Sequence, residues 1–293
     1  MPEAGFPMPP ETSTETNIKE LVDLPGFTTH YLFGVKAYND LPNNYLKHVI
    51  SKYRWLYQIG LQGPDIFFYN IPILRHRDYR NVGSHMHEYH VNRFFRNCLN
   101  EIAAISSKQQ REQAISYMAG FLCHYAADSI CHPYVYGRIQ YETDGKGSRF
   151  HGLHAELEND IDTLLLRKFK HKKPSEFNQA ATICLNGQEI QFLSRFLSRC
   201  INETYYPITE RNIFQVTEGM VTRSVYAIRF GGFMAFANGT ENFWYVLYPK
   251  AAHNSLEVQY DRPCPSNFLI FSKGDLSLIF NSLFIKTETN YMI

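Results

Sequence analysis

The sequence lacks the features that mark two common classes of protein. No apolar run reaches the ~18 residues that a membrane-spanning helix needs, and the longest candidate, about 225–237, is interrupted by Arg229 and by two adjacent glycines. The 29 basic and 28 acidic residues leave a formal net charge of +1. Without an excess of positive charge, nothing in the composition favours nucleic acid as a partner.

Paired cysteines and an export signal are also missing. None of the six cysteines forms a CxxC pair, and residues 1–20 contain four prolines but no apolar segment of the kind found in secretory signals. We therefore expect residues 1–24 to be a disordered leader. We also expect the cysteines to be mostly buried thiols in a reducing compartment, which predicts a cytoplasmic protein.

Apolar and aromatic residues are abundant, at 44% and 15% of the chain, so bulk disorder is excluded. Apolar residues recur at steps of three and four from about residue 30 to residue 230, which is typical of amphipathic helices. The pattern predicts an all-α, multi-helix domain over 25–235. The remaining residues, 236–293, are expected to form an irregular C-terminal extension that can pack on the same domain, with a hairpin possible over 268–280.

Individual helices can be placed by their apolar stripes. Glycines and Pro64 place Asp65 on a turn, and Pro133 is expected to end the central helix because proline disfavours helical geometry in the residue before it. The predicted helices cover about 46–56, 85–104, 109–132 and 153–169, with two or three more between 175 and 230.

Titratable residues interrupt the apolar surface of the central predicted helix at regular steps. His124, Asp128 and His132 are spaced by four residues, so their side chains project from one face. Burying an ionised carboxylate and two imidazoles costs several kcal/mol each unless a partner compensates the charge. A divalent metal ion would do so, and imidazole and carboxylate are ligands that zinc accepts.

The following predicted helix repeats the spacing with His154, Glu158 and Asp162. A histidine and a glutamate one turn apart can chelate a single metal ion, whereas Asp162 is more typical of a capping or ion-paired residue. Further candidate ligands lie outside these two helices: His30, Asp65 and the pair His85 and His87.

Several motifs around these residues resemble the zinc-dependent phospholipase C family. GFLCHYAADSICHPY resembles the family's HxxxD segment with its following His-Pro, and FHGLHAELENDID resembles its HxxxE segment. HYLFG, GPDIFFY and GSHMH occur in the family's order, so that the resemblance spans about residues 28–170. The family shares an all-α, three-zinc architecture with single-strand-specific nucleases.

The resemblance implies a ligand set for two or three zinc ions. Asp65, His87, His124 and Asp128 would hold the first ion, and Asp128 would bridge to a second ion that His30 also binds. The third ion would be held by His132, His154 and Glu158. His85 remains a rival to His87, and His151 a weaker rival to His154.

This sequence departs from the secreted members of the family at the start of the domain. Their mature chain begins with a tryptophan whose amino group and carbonyl bind the same zinc ion as the first histidine, whereas His30 is preceded by 29 residues. His132 also follows Asp128 by four residues, where the secreted members have a longer gap.

The resemblance implies a zinc-dependent phosphodiester hydrolase of the phospholipase C type. Asp65 is the candidate catalytic residue, since it can orient or deprotonate the attacking water as well as bind metal. The expected partner is a phospholipid or another phosphodiester, with peripheral membrane contact possible. Two alternatives are open: a phosphodiesterase that resembles the single-strand nucleases, and a non-catalytic protein whose helices zinc only holds together.

Overall fold

The computed structural model describes residues 26–69, 82–138, 147–206 and 215–239. These residues form α-helices and short 3-10 helices with no β-strand, so the all-α prediction is confirmed for this part of the chain. The α-helices are α1 (Phe27–Asp40), α2 (Tyr45–Lys52), α3 (Arg54–Gly60), α4 (Val82–Glu88), α5 (Val91–Ala104), α6 (Lys108–Arg138), α7 (Gly147–Lys170), α8 (Gly187–Tyr205) and α9 (Glu218–Asn238).

The 31-residue helix α6 is the centre of the fold, and α3 packs against it at backbone contact. A Cβ atom at Gly120 would lie 2.1 Å from the carbonyl oxygen of Tyr57, and one at Gly60 would lie 2.2 Å from the carbonyl oxygen of Tyr117. Only glycine allows two helices to approach this closely. The crossing fixes the segment after α3, which carries Asp65, beside the middle of α6.

Pro133 lies inside α6, and the prediction that the helix ends at His132 is wrong. A proline inside a helix removes one backbone hydrogen bond and strains the preceding turn. Val135, beyond the proline, is only 1% exposed and belongs to a buried apolar cluster with Leu32 and Ile161. This burial compensates for the lost bond, and it keeps His132 on the same continuous helix as the residues before it.

Four other features differ from the sequence prediction. The expected helix over 85–104 is two helices, α4 and α5, separated at His90, whose φ of 52° is left-handed. The expected helix over 46–56 is likewise divided, at Tyr53, into α2 and α3. The turn predicted at Asp65 is a 3-10 helix, Gly63–Tyr69, and α7 begins six residues earlier than expected.

The remaining sequence predictions concern the later helices, the cysteines and the two ends of the chain. Of the two or three further helices expected between 175 and 230, two are present as α8 and α9. Cys98, Cys123 and Cys200 are buried thiols, as expected. The leader, the hairpin and nearly all of the C-terminal extension lie outside the described residues. No α-helix in the described ranges combines the length and apolar character that crossing a bilayer requires.

Candidate metal centre

Five helical segments bring the eight predicted ligands into three neighbouring groups. In each group, the potential ligand atoms lie within 4.8 Å of one another. α6 contributes to all three groups because its HxxxDxxxH spacing keeps the side chains on one face. The groups are Asp65, His87 and His124; His30, His124 and Asp128; and His132, His154 and Glu158.

The first group joins the 3-10 helix, α4 and α6. Nε2 of His87 lies 3.2 Å from Oδ1 of Asp65 and 3.4 Å from Nε2 of His124. Two ligand atoms bound to one tetrahedral zinc ion would lie about 3.4 Å apart, given bond lengths of about 2.0–2.1 Å. The observed separations are therefore those expected of ligands that converge on one ion.

Backbone carbonyls orient two of these imidazoles. Nδ1 of His124 lies 3.1 Å from the carbonyl oxygen of Leu61, and Nδ1 of His87 lies 2.8 Å from that of Gly83. Because a carbonyl oxygen can only accept a hydrogen bond, Nδ1 is the donor in each pair. In a neutral ring this leaves Nε2 without a proton and directed into the cluster, which is the arrangement found around metal-binding histidines.

The second group is centred on Asp128, whose two carboxylate oxygens face different histidines. Oδ1 lies 3.2 Å from Nε2 of His30, and Oδ2 lies 3.0 Å from Nε2 of His124 and 3.4 Å from Nε2 of His87. The rings of His30 and His124 stack with their centroids 4.2 Å apart. Asp128 is thus placed between two groups, as a bridging carboxylate would be.

The third group joins the end of α6 to α7. Oε1 of Glu158 lies 2.7 Å from Nε2 of His154 and 3.5 Å from Nε2 of His132. The side chain of His132 is 24% exposed, whereas those of His154 and Glu158 are below 10%. This group is therefore accessible to a ligand from solvent on the His132 side.

Buried carboxylate oxygens without hydrogen-bond donors support a metal site. As long as the neighbouring imidazoles are neutral with Nε2 unprotonated, both Oδ atoms of Asp65, Oδ2 of Asp128 and Oε2 of Glu158 are buried and accept no hydrogen bond from the described residues. Leaving several such atoms unsatisfied is costly in a folded protein. The imidazole and carboxylate donors fit zinc, which would compensate these charges together.

Charge pairing shifts the pKa values throughout the centre. Burial alone would lower the pKa of His30, but the carboxylates of Asp128, Asp65 and Glu158 together outweigh burial and raise it. The pKa of His87 is likewise raised well above its ordinary value, against burial, by Asp128 and Asp65. Conversely, burial would raise the pKa of Asp128, but His124 and His30 hold it well below the usual range.

The third group follows the same pattern of opposing effects. Burial would raise the pKa of Glu158, but His154 and His132 lower it. The pKa of His132 is raised by Glu158 despite the opposing effect of burial. In the absence of metal, then, proton-bearing histidines would compensate the carboxylates.

The structure separates most of the rival residues from the cluster. His85 turns away from it and stacks on Tyr89, with centroids 4.7 Å apart, and contacts Tyr205 edge-on. Asp162 caps the first helix by accepting hydrogen bonds from Thr28 and Thr29, so that the capping interpretation is confirmed. The side chain of His151 lies outside the part that the structure describes.

One residue beside the cluster was not identified from the sequence. Gly63 has a φ of +48°, and a Cβ atom there would lie 2.3 Å from Cδ2 of His124. The position therefore requires glycine for its backbone conformation and for the space that the imidazole fills. The GPD sequence at 63–65 indicated a turn, but it gave no sign of which side chain packs on it.

An all-α fold that collects imidazoles and carboxylates into three adjoining groups is typical of metal-binding helical proteins. Comparison with protein families identifies the family. The model of the family described as zinc dependent phospholipase C matches residues 29–208, and the chain belongs to that family. Comparisons with curated proteins and with solved structures found no match.

The matched range contains all eight predicted ligands, from His30 to Glu158, and ends before α9 begins. The family is zinc-dependent, and the three groups provide matching donors. Which of these residues bind zinc, and how many ions are held, remain predictions.

Proposed function

We propose that this protein hydrolyses the glycerol–phosphate ester bond of phospholipids, releasing diacylglycerol and a phosphorylated headgroup. The convergence of three groups of imidazole and carboxylate donors on one helix face, within a family of zinc-dependent phospholipases C, carries the proposal. When bound, zinc lowers the pKa of a coordinated water and offsets the negative charge of the phosphodiester.

Asp65 is the proposed catalytic residue. Its two oxygens are buried, accept no hydrogen bond from the described residues and lie between His87 and His124. This carboxylate is therefore placed to hold the attacking water by a hydrogen bond and to accept its proton. The water oxygen forms a bond to phosphorus as the bond between phosphorus and the glycerol oxygen breaks, Asp65 takes the water proton, and the leaving glycerol oxygen takes a proton from solvent.

The partly exposed third group is the proposed side of substrate entry. The ring of Tyr136 lies 5.4 Å from the rings of both His132 and His154, and Tyr136 is 38% exposed. The exposed ring of Tyr136 beside this partly exposed group provides an apolar surface that a bound substrate can contact. Peripheral contact with a membrane surface is part of this proposal.

The zinc-loaded protein should release phosphorylated headgroup from phospholipid vesicles, measured as water-soluble phosphate ester, and lose this activity after chelation. Asp65→Asn should abolish release. Cleavage of single-stranded DNA without lipid hydrolysis would instead support a nuclease-like phosphodiesterase. Full zinc loading with no hydrolysis of either diester would indicate a non-catalytic protein whose helices zinc stabilises.

A further inference from the structure

The first helix of the domain begins without a cap of its own. The first N–H groups of a helix have no partner within it, and the residue before α1, Gly26, has no side chain to accept them. Asp162, which lies on α7 more than 130 residues further along the chain, takes this role. Its Oδ2 accepts from the backbone N–H of Thr28 at 2.9 Å, and its Oδ1 accepts from that of Thr29 at 2.8 Å.

A third hydrogen bond and a close glycine contact hold the same carboxylate. The hydroxyl of Thr29 donates to Oδ1 of Asp162 at 2.5 Å, and Asp162 is only 1% exposed. On the other side, a Cβ atom at Gly26 would lie 2.2 Å from Oδ1. The negative charge also lies at the positive end of the α1 dipole, which favours this arrangement. Asp162 is thus fixed by directed bonds and by packing.

These contacts connect two groups of the metal centre. Thr29 directly precedes His30, and Asp162 follows Glu158 by one helical turn. Thr29, His30, Asp128 and Glu158 line one cavity. The position of His30 relative to α6 and α7 therefore depends on where the Asp162 carboxylate holds the first turn of α1.

We propose that Asp162 is the positioning residue for the metal ion that His30 binds, a role separate from direct ligation. The proposal rests on the zinc chemistry proposed above, but it does not depend on which diester is cleaved. His30 contributes one imidazole to an ion shared with Asp128. Loss of the hydrogen bonds between Asp162 and the start of α1 would therefore move His30 relative to Asp128. Partners that orient metal ligands change metal affinity by about 10–100-fold.

The test is a titration of the metal-free full-length protein with Zn²⁺ or Co²⁺ alone, followed by elemental analysis and by the visible absorption of bound Co²⁺. His30→Ala identifies the ion in question, because it should lose one equivalent. Asp162→Asn should bind that same ion about 10–100-fold more weakly and keep the others. The amide has one accepting oxygen instead of two, and its NH2 group would face a backbone N–H.

Gly26→Ala tests the same contact by changing the residue against which the Asp162 carboxylate packs. Its backbone, with φ −65° and ψ 109°, suits alanine, so the contact with the Asp162 carboxylate is the main perturbation. This variant should also weaken the His30 ion selectively, and it decides the question if Asp162→Asn does not fold. Asp40→Asn is the matched control, since Asp40 lies at the other end of α1 and pairs with Lys36 on the surface. It should bind every ion as the wild type does.

Two results would overturn the proposal. One is unchanged affinity for every ion in folded Gly26→Ala and Asp162→Asn, with folding verified by circular dichroism. The other is an unchanged metal count in His30→Ala, which would show that His30 holds no ion. A fully loaded wild type that hydrolyses no phospholipid would contradict the proposed function alone, and the titration would still decide the role of Asp162.

Discussion

Asp128 places its Oδ1 3.2 Å from Nε2 of His30, while its other oxygen faces a different histidine. One buried carboxylate therefore contacts two of the three groups of the centre. Neighbouring metal ions repel each other in a buried site, and a shared carboxylate between them reduces this repulsion. We regard Asp128 as the residue on which the integrity of the centre depends most.

Asp128→Asn should lower both the zinc content and the stability of the protein. The amide removes the negative charge and one accepting oxygen while it preserves the size of the side chain. Removing one partner from a buried charge pair typically costs about 3–5 kcal/mol, measurable by denaturant unfolding. Asp40→Asn, which changes an exposed pair, is the control and should cost less than about 1 kcal/mol. Unchanged zinc by elemental analysis would contradict the bridging role.

His154→Ala should abolish hydrolysis and leave most of the zinc at the first group. His154 lies 2.7 Å from Glu158 but belongs to neither of the groups that contain His124. Removing a direct ligand should cost more than the ~100-fold upper range seen for residues that only orient ligands. His48→Ala, on the exposed face of α2, is the matched control. Retained hydrolysis would mean that another residue, with His151 the first candidate, is the ligand.

Gly63→Ala should reduce zinc affinity without removing any ligand. A left-handed backbone costs a non-glycine residue roughly 1–2 kcal/mol, and the added Cβ would displace the imidazole of His124. We expect affinity at the first group to fall about 10–100-fold, as for other changes that misorient a ligand. Gly187→Ala is the control, since a Cβ atom there would meet nothing within 4 Å. If both variants titrate like the wild type, the packing of Gly63 on His124 is not needed for binding.

Stabilisation by zinc should increase as the pH rises from about 6 to 8. In the metal-free protein, the pKa values of His30, His87 and His132 are raised, so their stabilising charge pairs are complete below the unfolded value near 6.5. This stabilisation is lost as the pH rises through the raised values of the folded protein. Zinc requires unprotonated imidazoles, so its binding strengthens over the same range.

The measurement for this prediction is the difference in Tm between the zinc-loaded and the chelated protein at several pH values. Asp128 and Glu158, with lowered pKa values, stay ionised throughout this range and do not change the sign. A difference in Tm that is constant or falls with pH would mean that the histidines are not the groups that exchange protons for zinc.

The helical spacing predicted much of this centre because it depends on local geometry. His124, Asp128 and His132 share a face on any helix that includes all three, and His154 and Glu158 do so on the next. Steps of four also put Asp162 on that face, but spacing alone could not show that the start of α1 lies against it. That contact joins residues more than 130 positions apart.

The wrong helix boundaries have a similar cause. The preference of proline for a non-helical preceding residue predicted that α6 ends at His132. Burial of Val135 against α1 and α7 instead favours a helix that continues past Pro133. The choice between His85 and His87 likewise depends on a register within α4 that places Nδ1 of His87 on the carbonyl of Gly83. Long-range packing decided where α6 ends, and a single sequence does not show it, whereas the contact between His87 and Gly83 is local and spans four residues.

Elemental analysis of the purified full-length protein, made in zinc-replete medium, tests the central claim most directly. We predict two or three zinc ions per chain, with Asp128→Asn holding fewer. A folded chain that contains no zinc or other divalent metal would contradict the metal centre and the hydrolysis proposed for it.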